Sequence, residues 1–162
     1  MFAIQPATAL WFIPFVLPIV IWVAWNDMAR MKIPNKAVIA LLIVFAVLGL
    51  IALPFSEYLW RWAHVAVVLA IGFVLNMFGL VGAGDAKFAA AMAPFIPLAD
   101  VYPFSFLLGA VVIAAFILHR LMRASPIRQR VPDWESWTRR DFPMGMALAP
   151  ALLFYLILGA VY

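Results

Sequence analysis

Two aspartates in an otherwise apolar chain are the residues best placed to do chemistry. Asp27 follows a first segment with no charged residue, and Asp85 closes the sequence Gly-Ala-Gly-Asp at positions 82–85. Because a carboxylate at a membrane boundary is costly to hold there, such residues indicate function. Two carboxylates that share a site hold one proton between them. The ionised group can then take a proton from water while its partner donates to a carbonyl oxygen, as metal-free peptide hydrolysis requires.

The composition indicates which structure must bring these two aspartates together. The chain has 162 residues, of which 69% are hydrophobic and 11% are charged. Soluble proteins are about half apolar and about a quarter charged, so we predict one all-α, polytopic, membrane-embedded domain over residues 1–162. The absence of cysteine excludes a cysteine nucleophile and thiolate metal ligands. The first segment lacks a basic start and a small-residue cleavage site, which favours a retained helix over a removed signal peptide.

Six charge-free stretches are candidates for membrane crossings. A crossing helix needs about 20 apolar residues, and five of the stretches have this length or nearly so. Phe88–Ala99 is shorter, and Pro94 and Pro97 lie near its end, so it could be a short span or a re-entrant segment. The six stretches are Ala7–Trp25, Ala37–Leu53, Trp62–Leu80, Phe88–Ala99, Val101–Leu118 and Phe142–Tyr162.

The distribution of basic residues favours six crossings with both termini outside. In that topology ten of the eleven Lys and Arg residues lie on the inner side and only Arg61 lies outside, as the positive-inside rule expects. If Phe88–Ala99 did not cross, the six arginines between positions 120 and 140 would lie outside. The topology places Asp27 and Asp85 on the same cytoplasmic face, so we predict that they share a site.

The segment Arg120–Asp141 is the only long polar stretch, and it carries six arginines, three acids and two tryptophans, Trp134 and Trp137. We predict that Arg120–Arg140 lies on the anionic inner leaflet with both indole rings at the lipid headgroups. Docking of a substrate is the alternative. Because the segment is tethered to the bilayer, we do not expect nucleic acid as a partner.

Five residues near the aspartates have candidate supporting roles. Gly82 and Gly84 would allow a sharp bend at the end of the third helix, against which a substrate backbone could lie; a plain turn is the alternative. We expect purely structural roles for Pro34 and Asn35, with Pro34 in a turn before the second helix and Asn35 as the N-cap of that helix. We expect Lys87 to extend towards the lipid headgroups rather than to lower the pKa of the neighbouring Asp85 carboxylate.

Other polar and small residues favour structural roles. His64 and His119 fall near opposite faces, which argues against a shared metal site. Asn76, inside the third helix, is expected to bond to another helix. Small residues at four-residue spacings are expected to allow close helix packing; they are Gly72, Ala86, Ala89, Ala90, Ala93, Gly145 and Ala149.

Two motifs in this order resemble the type IV prepilin peptidases, which are membrane aspartic proteases of the GxGD class. The motifs are Asp27 with Arg30, Ile33, Pro34 and Asn35, and Gly-Ala-Gly-Asp-Ala-Lys at 82–87, followed by Pro143-Met144-Gly145 at the last helix. The resemblance implies that Asp27 and Asp85 are catalytic and that Gly82 and Gly84 are the motif glycines. It also implies removal of a short basic leader from prepilins or pilin-like proteins at the cytoplasmic face of the bacterial inner membrane, with pilus or secretion assembly proteins as possible partners.

One departure from the longer members of this family limits the expected chemistry. Those members carry a cytoplasmic domain with paired cysteines, associated with zinc and with N-methylation of the mature pilin. This chain has no cysteine and resembles the short form found with tight-adherence pili, so we expect no metal, no S-adenosylmethionine and no other cofactor. The alternatives are a GxGD protease that acts on preflagellins or other leaders, and a non-enzymatic ion pathway or assembly scaffold.

Overall fold

The computed structural model describes residues 2–162, which form helices, turns and connections without a β-strand. The all-α architecture is therefore as predicted. Three short 3-10 turns, at Ala93–Phe95, Leu98–Asp100 and Glu135–Trp137, join or follow the α-helices. The α-helices are α1 (Pro6–Arg30), α2 (Asn35–Ala52), α3 (Phe55–Met77), α4 (Ala83–Met92), α5 (Val101–Ala124), α6 (Ile127–Arg130) and α7 (Gly145–Val161).

Four helices are long and apolar enough to cross a membrane: α1, α2, α3 and the segment Leu98–Ala124 that includes α5. The helix α7 is apolar but has only 17 residues. Large apolar side chains on α3 and α5 point away from the protein, which is typical of a surface that faces lipid. The chain is an all-α polytopic membrane protein. Exposed apolar residues on these two helices include Leu59, Val67, Phe73, Phe106, Ile113 and Leu121.

Proline starts several helices, because its fixed φ angle suits the first helical turn and its missing N–H is not needed there. Pro6 is the first residue of α1, and Pro34 and Pro54 are the N-caps of α2 and α3. The expectation that Asn35 caps α2 is wrong, because Pro34 occupies that position and Asn35 is the first helical residue. At the other end of α1, Met31 has a φ angle of 51° and ends the helix.

The helix α4 is too short to span a bilayer by itself, but the segment that contains it crosses the bundle. It begins at Ala83 beside the C-terminus of α1, where Asp27 lies; we call this the Asp27 end. After α4, the carbonyl of Pro94 accepts a hydrogen bond of 3.1 Å from Arg61 Nη1, near the start of α3. Asp100 then bonds to the backbone of Ile4 at the opposite end, here called the Asp100 end.

The two ends of the described range, residues 2–162, come together at the Asp100 end, since Ile4 packs against Gly159 in the last turn of α7. The most extensive helix pair is α1 with α7, and α4 packs against α2, α3 and α7. Close packing of α3 on α4 depends on small residues, as predicted. A Cβ atom added to Gly72 would lie 2.8 Å from the Cβ of Ala86.

Candidate active site

Asp27 lies in the last turn of α1, and not after the helix as the charge pattern had indicated. It continues a buried stripe on α1 that includes Val16, Val20 and Val23. Spacings of three and four residues place side chains on one face of a helix, so the carboxylate points into the bundle. Its side chain is 5% exposed.

The first residue of α7, Gly145, contacts the Asp27 carboxylate directly. Its backbone N–H donates a hydrogen bond of 2.7 Å to Asp27 Oδ2. The first N–H groups of a helix have no acceptor within the helix, so the carboxylate satisfies one of them. A Cβ atom at position 145 would lie 2.9 Å from Asp27 Oδ2 and 3.0 Å from its Cβ. The lack of a side chain at Gly145 therefore lets the Asp27 carboxylate approach. This is a more specific role than the general helix packing predicted for Gly145.

Asp85 lies in the first turn of α4 and is half-buried. Its carboxylate packs against Gly82, the N-cap of the helix. A Cβ atom on Gly82 would lie 2.6 Å from Asp85 Oδ2, so a side chain at this position would displace the carboxylate. An acid in the first helical turn is also favourable for the helix dipole.

The predicted bend at Gly82 and Gly84 is wrong. Gly82 has an extended backbone with φ −65°, and Gly84 lies within α4. The turn after α3 is made at Gly79, whose φ angle is +70°, a value that favours glycine. Asn76 stabilises this turn by donating a hydrogen bond of 2.8 Å to the Val81 carbonyl, and not by bonding to another helix.

The other predicted supporting residues lie around the same cleft. Gly84 packs against Ile33, and a Cβ atom added to it would lie 3.6 Å from the Cβ of Ile33. Pro34, Asn35 and Lys87 line the cleft, and Lys87 is exposed. These residues thus belong to the surroundings of the two aspartates, with no contact that assigns them a chemical role.

The cleft has a volume of about 1010 Å³ and contains both aspartates in its wall. It is formed by the α1–α2 connection, the α3–α4 connection and the segment before α7. No hydrogen bond joins the two carboxyl groups within residues 2–162, and both border the same cleft. The fold thus brings together two acids that are far apart in sequence, in a cleft large enough for a peptide segment.

Two further charged residues are buried, and neither was singled out from the sequence. Asp100 is 2% exposed and accepts hydrogen bonds from the N–H of Ala3 (2.6 Å), the N–H of Ile4 (3.0 Å) and the hydroxyl of Tyr155 (2.5 Å). Arg61 is also buried. In the sequence Asp100 stands alone between two long apolar stretches, and this isolation is the signal that could have identified it as a notable residue.

The prediction for the polar segment before α7 is wrong for one of its two tryptophans, Trp137. Trp137 is 1% exposed and packs beside His119, so its indole ring does not lie at the headgroups. His64 lies one turn after Arg61 at the other end of the bundle, and the two histidines are apart as expected. Within residues 2–162, no group of three His, Asp or Glu side chains could hold a metal ion.

Comparison with known proteins gave one finding. The model of the type IV leader peptidase family matches residues 14–118, a range that includes both Asp27 and Asp85 and stops before α6 and α7. A comparison with curated proteins gave no match, and a comparison with solved structures gave none either.

Proposed function

The chain belongs to the type IV leader peptidase family, and from this premise we propose that it is an aspartic endopeptidase that removes the leader of prepilins or pilin-like proteins. The observation that carries the proposal is the position of the two aspartates. Asp27 and Asp85 come from different helices and lie in the wall of one cleft, where a peptide could contact both carboxyl groups.

In the proposed reaction the two carboxyl groups share one proton, as paired carboxylates do. The ionised group takes a proton from water, and the water oxygen attacks the carbonyl carbon of the scissile peptide bond. The protonated group donates to the carbonyl oxygen, and a proton then passes to the leaving amine as the C–N bond breaks. The Gly145 N–H holds Asp27 in place, and Gly82 leaves room for Asp85.

We place the site at the cytoplasmic face of the bacterial inner membrane. Ten of the eleven basic residues belong to connections or helix ends at the Asp27 end, and Arg61 is the exception. This asymmetry supports the cytoplasmic orientation of that end. A leader that precedes the membrane helix of a pilin-like substrate would reach the cleft from this side, and anionic lipid and assembly proteins would be neighbours there.

The structure disfavours an ion pathway that uses the same acids. Between Asp27 and Asp100 the bundle is filled by buried apolar side chains, among them Phe12, Phe45 and Phe95. An ion or proton path needs polar groups or water through the middle of the membrane. Both proposed catalytic acids instead lie at one end of the bundle.

The proposal is tested by co-expressing the protein with a prepilin and following removal of the leader by mass spectrometry. Asp27→Asn and Asp85→Asn should each leave the leader attached, because an amide cannot take a proton from water. Both variants should remain in the membrane fraction at wild-type abundance. Complete leader removal by either variant would contradict the two-aspartate mechanism, and an intact prepilin with the wild-type protein would contradict the substrate.

A further inference from the structure

The segment Ser125–Met144, here called the strap, connects α5 to α7 and lies outside the part of the chain that matches the family. Its second half forms one wall of the cleft. Three kinds of side chain therefore face the cleft from the strap, one cation, one anion and several apolar groups. They are Arg139, Asp141, Phe142, Pro143 and Met144.

A row of aromatic rings holds the strap against the helices. His119, on α5, stacks on Trp137 with ring centres 5.4 Å apart and planes 17° apart. Trp137 stacks on Trp134 at 5.6 Å and 16°. Trp134 then meets Trp25 of α1 edge to face at 4.9 Å. Stacked and edge-to-face aromatic pairs stabilise a contact beyond the area that they bury.

Trp137 is the central residue of this row. Its side chain is 1% exposed, and its Nε1–H donates a hydrogen bond of 2.8 Å to the carbonyl of Val131 within the strap. On the other side of His119, the ring of Phe142 packs edge to face at 5.8 Å. Trp137 thus fixes the strap internally and fixes it to α5.

The strap is also tied to both sides of Asp27. Trp25, which contacts the strap through Trp134, lies two residues before Asp27 in α1. Gly145, the residue directly after the strap, donates its N–H to the Asp27 carboxylate. Contacts on two sides of Asp27 therefore fix the position of the cleft wall relative to the Asp27 carboxylate.

We propose that the strap is the wall on which the substrate peptide docks next to the scissile bond, and that Trp137 is the positioning residue that holds this wall in place. The inference rests on the proposed function. Asp141 offers the peptide a negative charge, and Phe142 and Met144 offer it apolar contact. Arg139 also lines the cleft, with its guanidinium paired to Glu135 at 3.3 Å. A segment free on the membrane surface would not carry a fully buried tryptophan.

The first test measures steady-state cleavage of a detergent-solubilised prepilin by the purified full-length protein. Trp137→Leu should raise KM about tenfold and leave kcat within about twofold, because it loosens the cleft wall at Arg139–Phe142 whereas Gly145, which belongs to α7, still holds the Asp27 carboxylate. Trp137→Phe keeps a ring in the stack and should recover most of the loss. Trp60→Leu, at a position 62% exposed on α3, is the matched control and should behave like wild type. An unchanged KM in a folded Trp137→Leu protein overturns the inference.

The second test does not depend on Trp137→Leu folding. Since the chain has no cysteine, single cysteines can be introduced as Arg139→Cys in the strap wall or as Arg128→Cys in α6, which does not line the cleft. In an Asp27→Asn background, a prepilin with one cysteine beside its scissile bond is bound and mildly oxidised. A disulfide with position 139 and little with position 128 supports the inference.

Position 128 lies in the first half of the strap, which does not line the cleft, so equal or weaker crosslinking at position 139 than at position 128 overturns docking on the cleft-lining half of the strap. This outcome is distinct from failure of the proposed function, which would show as no leader removal by the wild-type protein. Crosslinking therefore reports on where the substrate lies even if the catalytic roles are assigned differently.

Discussion

Two buried aspartates at opposite ends of the bundle have contrasting surroundings. Asp100 is enclosed and accepts hydrogen bonds from two backbone N–H groups and from the hydroxyl of Tyr155. Asp27 is nearly as buried, but it accepts one backbone bond, from Gly145, and borders the open cleft. A carboxylate has about four acceptor positions, so Asp27 retains positions for water or substrate.

The contrast teaches that burial of an acid is not sufficient to identify a reactive group. The donors around Asp100 hold the start of the chain and α7 together at the Asp100 end, which is a structural role. At the Asp27 end, Asp27 has one backbone donor and shares the cleft with Asp85. Asp100 and Asp27 differ in how many hydrogen-bond donors the fold supplies to each, and four substitutions test whether this difference separates a reactive acid from a structural one.

The largest expected effect is on activity at Asp27. Asp27→Asn should lower kcat at least about a thousandfold, because the residue loses proton transfer. The amide oxygen can still accept the Gly145 N–H, so the free energy of unfolding should change by less than about 0.5 kcal/mol. Leader cleavage and SDS titration in mixed micelles measure the two quantities. A folded Asp100→Asn protein with an equally large loss of cleavage would break the contrast.

The next effect is on stability at Asp100. Asp100→Ala leaves three donors without their acceptor and should lower the free energy of unfolding by about 3 kcal/mol. Cleavage per folded molecule should stay near the wild-type value, since the residue lies at the end away from the cleft. The measurement combines SDS titration with leader cleavage by the folded fraction. An unfolding free energy equal to that of wild type would show that the three bonds contribute nothing net.

A smaller effect on activity is expected at Gly145. Gly145→Ala places a Cβ atom 2.9 Å from Asp27 Oδ2, so the carboxylate must move, and we expect kcat to fall about tenfold to a hundredfold. Gly109→Ala is the matched control, since nothing lies within 4 Å of a Cβ atom there. The comparison of kcat between the two variants checks the prediction, and equal kcat values would show that the position of Asp27 is not critical.

The smallest effect is expected at Tyr155. Tyr155→Phe removes one of the three donors to Asp100 and should lower the free energy of unfolding by about 1–2 kcal/mol, with cleavage unchanged. Tyr102→Phe, at a position 75% exposed, should have no effect on unfolding. SDS titration of the two variants tests the difference. A loss of cleavage in Tyr155→Phe would mean that the two ends of the bundle are coupled.

Much of the architecture could be predicted because the membrane imposes simple rules on the sequence. Long apolar stretches must form helices that satisfy their own backbone bonds, and the basic residues indicated which helix ends share a side. The length of Phe88–Ala99 did not decide whether this segment crosses the bundle. Contacts along it and after it, such as Arg61 with Pro94 and Asp100 with Ile4, show that it runs from the Asp27 end to the Asp100 end.

The site was predicted in part. Asp27 and Asp85 could be found because acids are rare in apolar chains and because each lies in a recognisable motif. The roles of the nearby glycines could not be predicted correctly, since a glycine that allows close approach and a glycine that makes a turn look alike in a sequence. The structure assigns the turn to Gly79 and the close approach to Gly82 and Gly145.

The helical class, the grouping of basic residues and the choice of Asp27 and Asp85 as candidate acids could all be inferred from the sequence alone, because they depend on composition and local order. The tertiary structure was needed to show that Asp100 is enclosed by three donors, that Asp27 has one donor and borders the cleft, and that the strap forms a wall of the cleft. Those properties depend on donors and rings that are distant in sequence, such as Gly145 for Asp27 and Trp137 for His119, and packing alone brings them together.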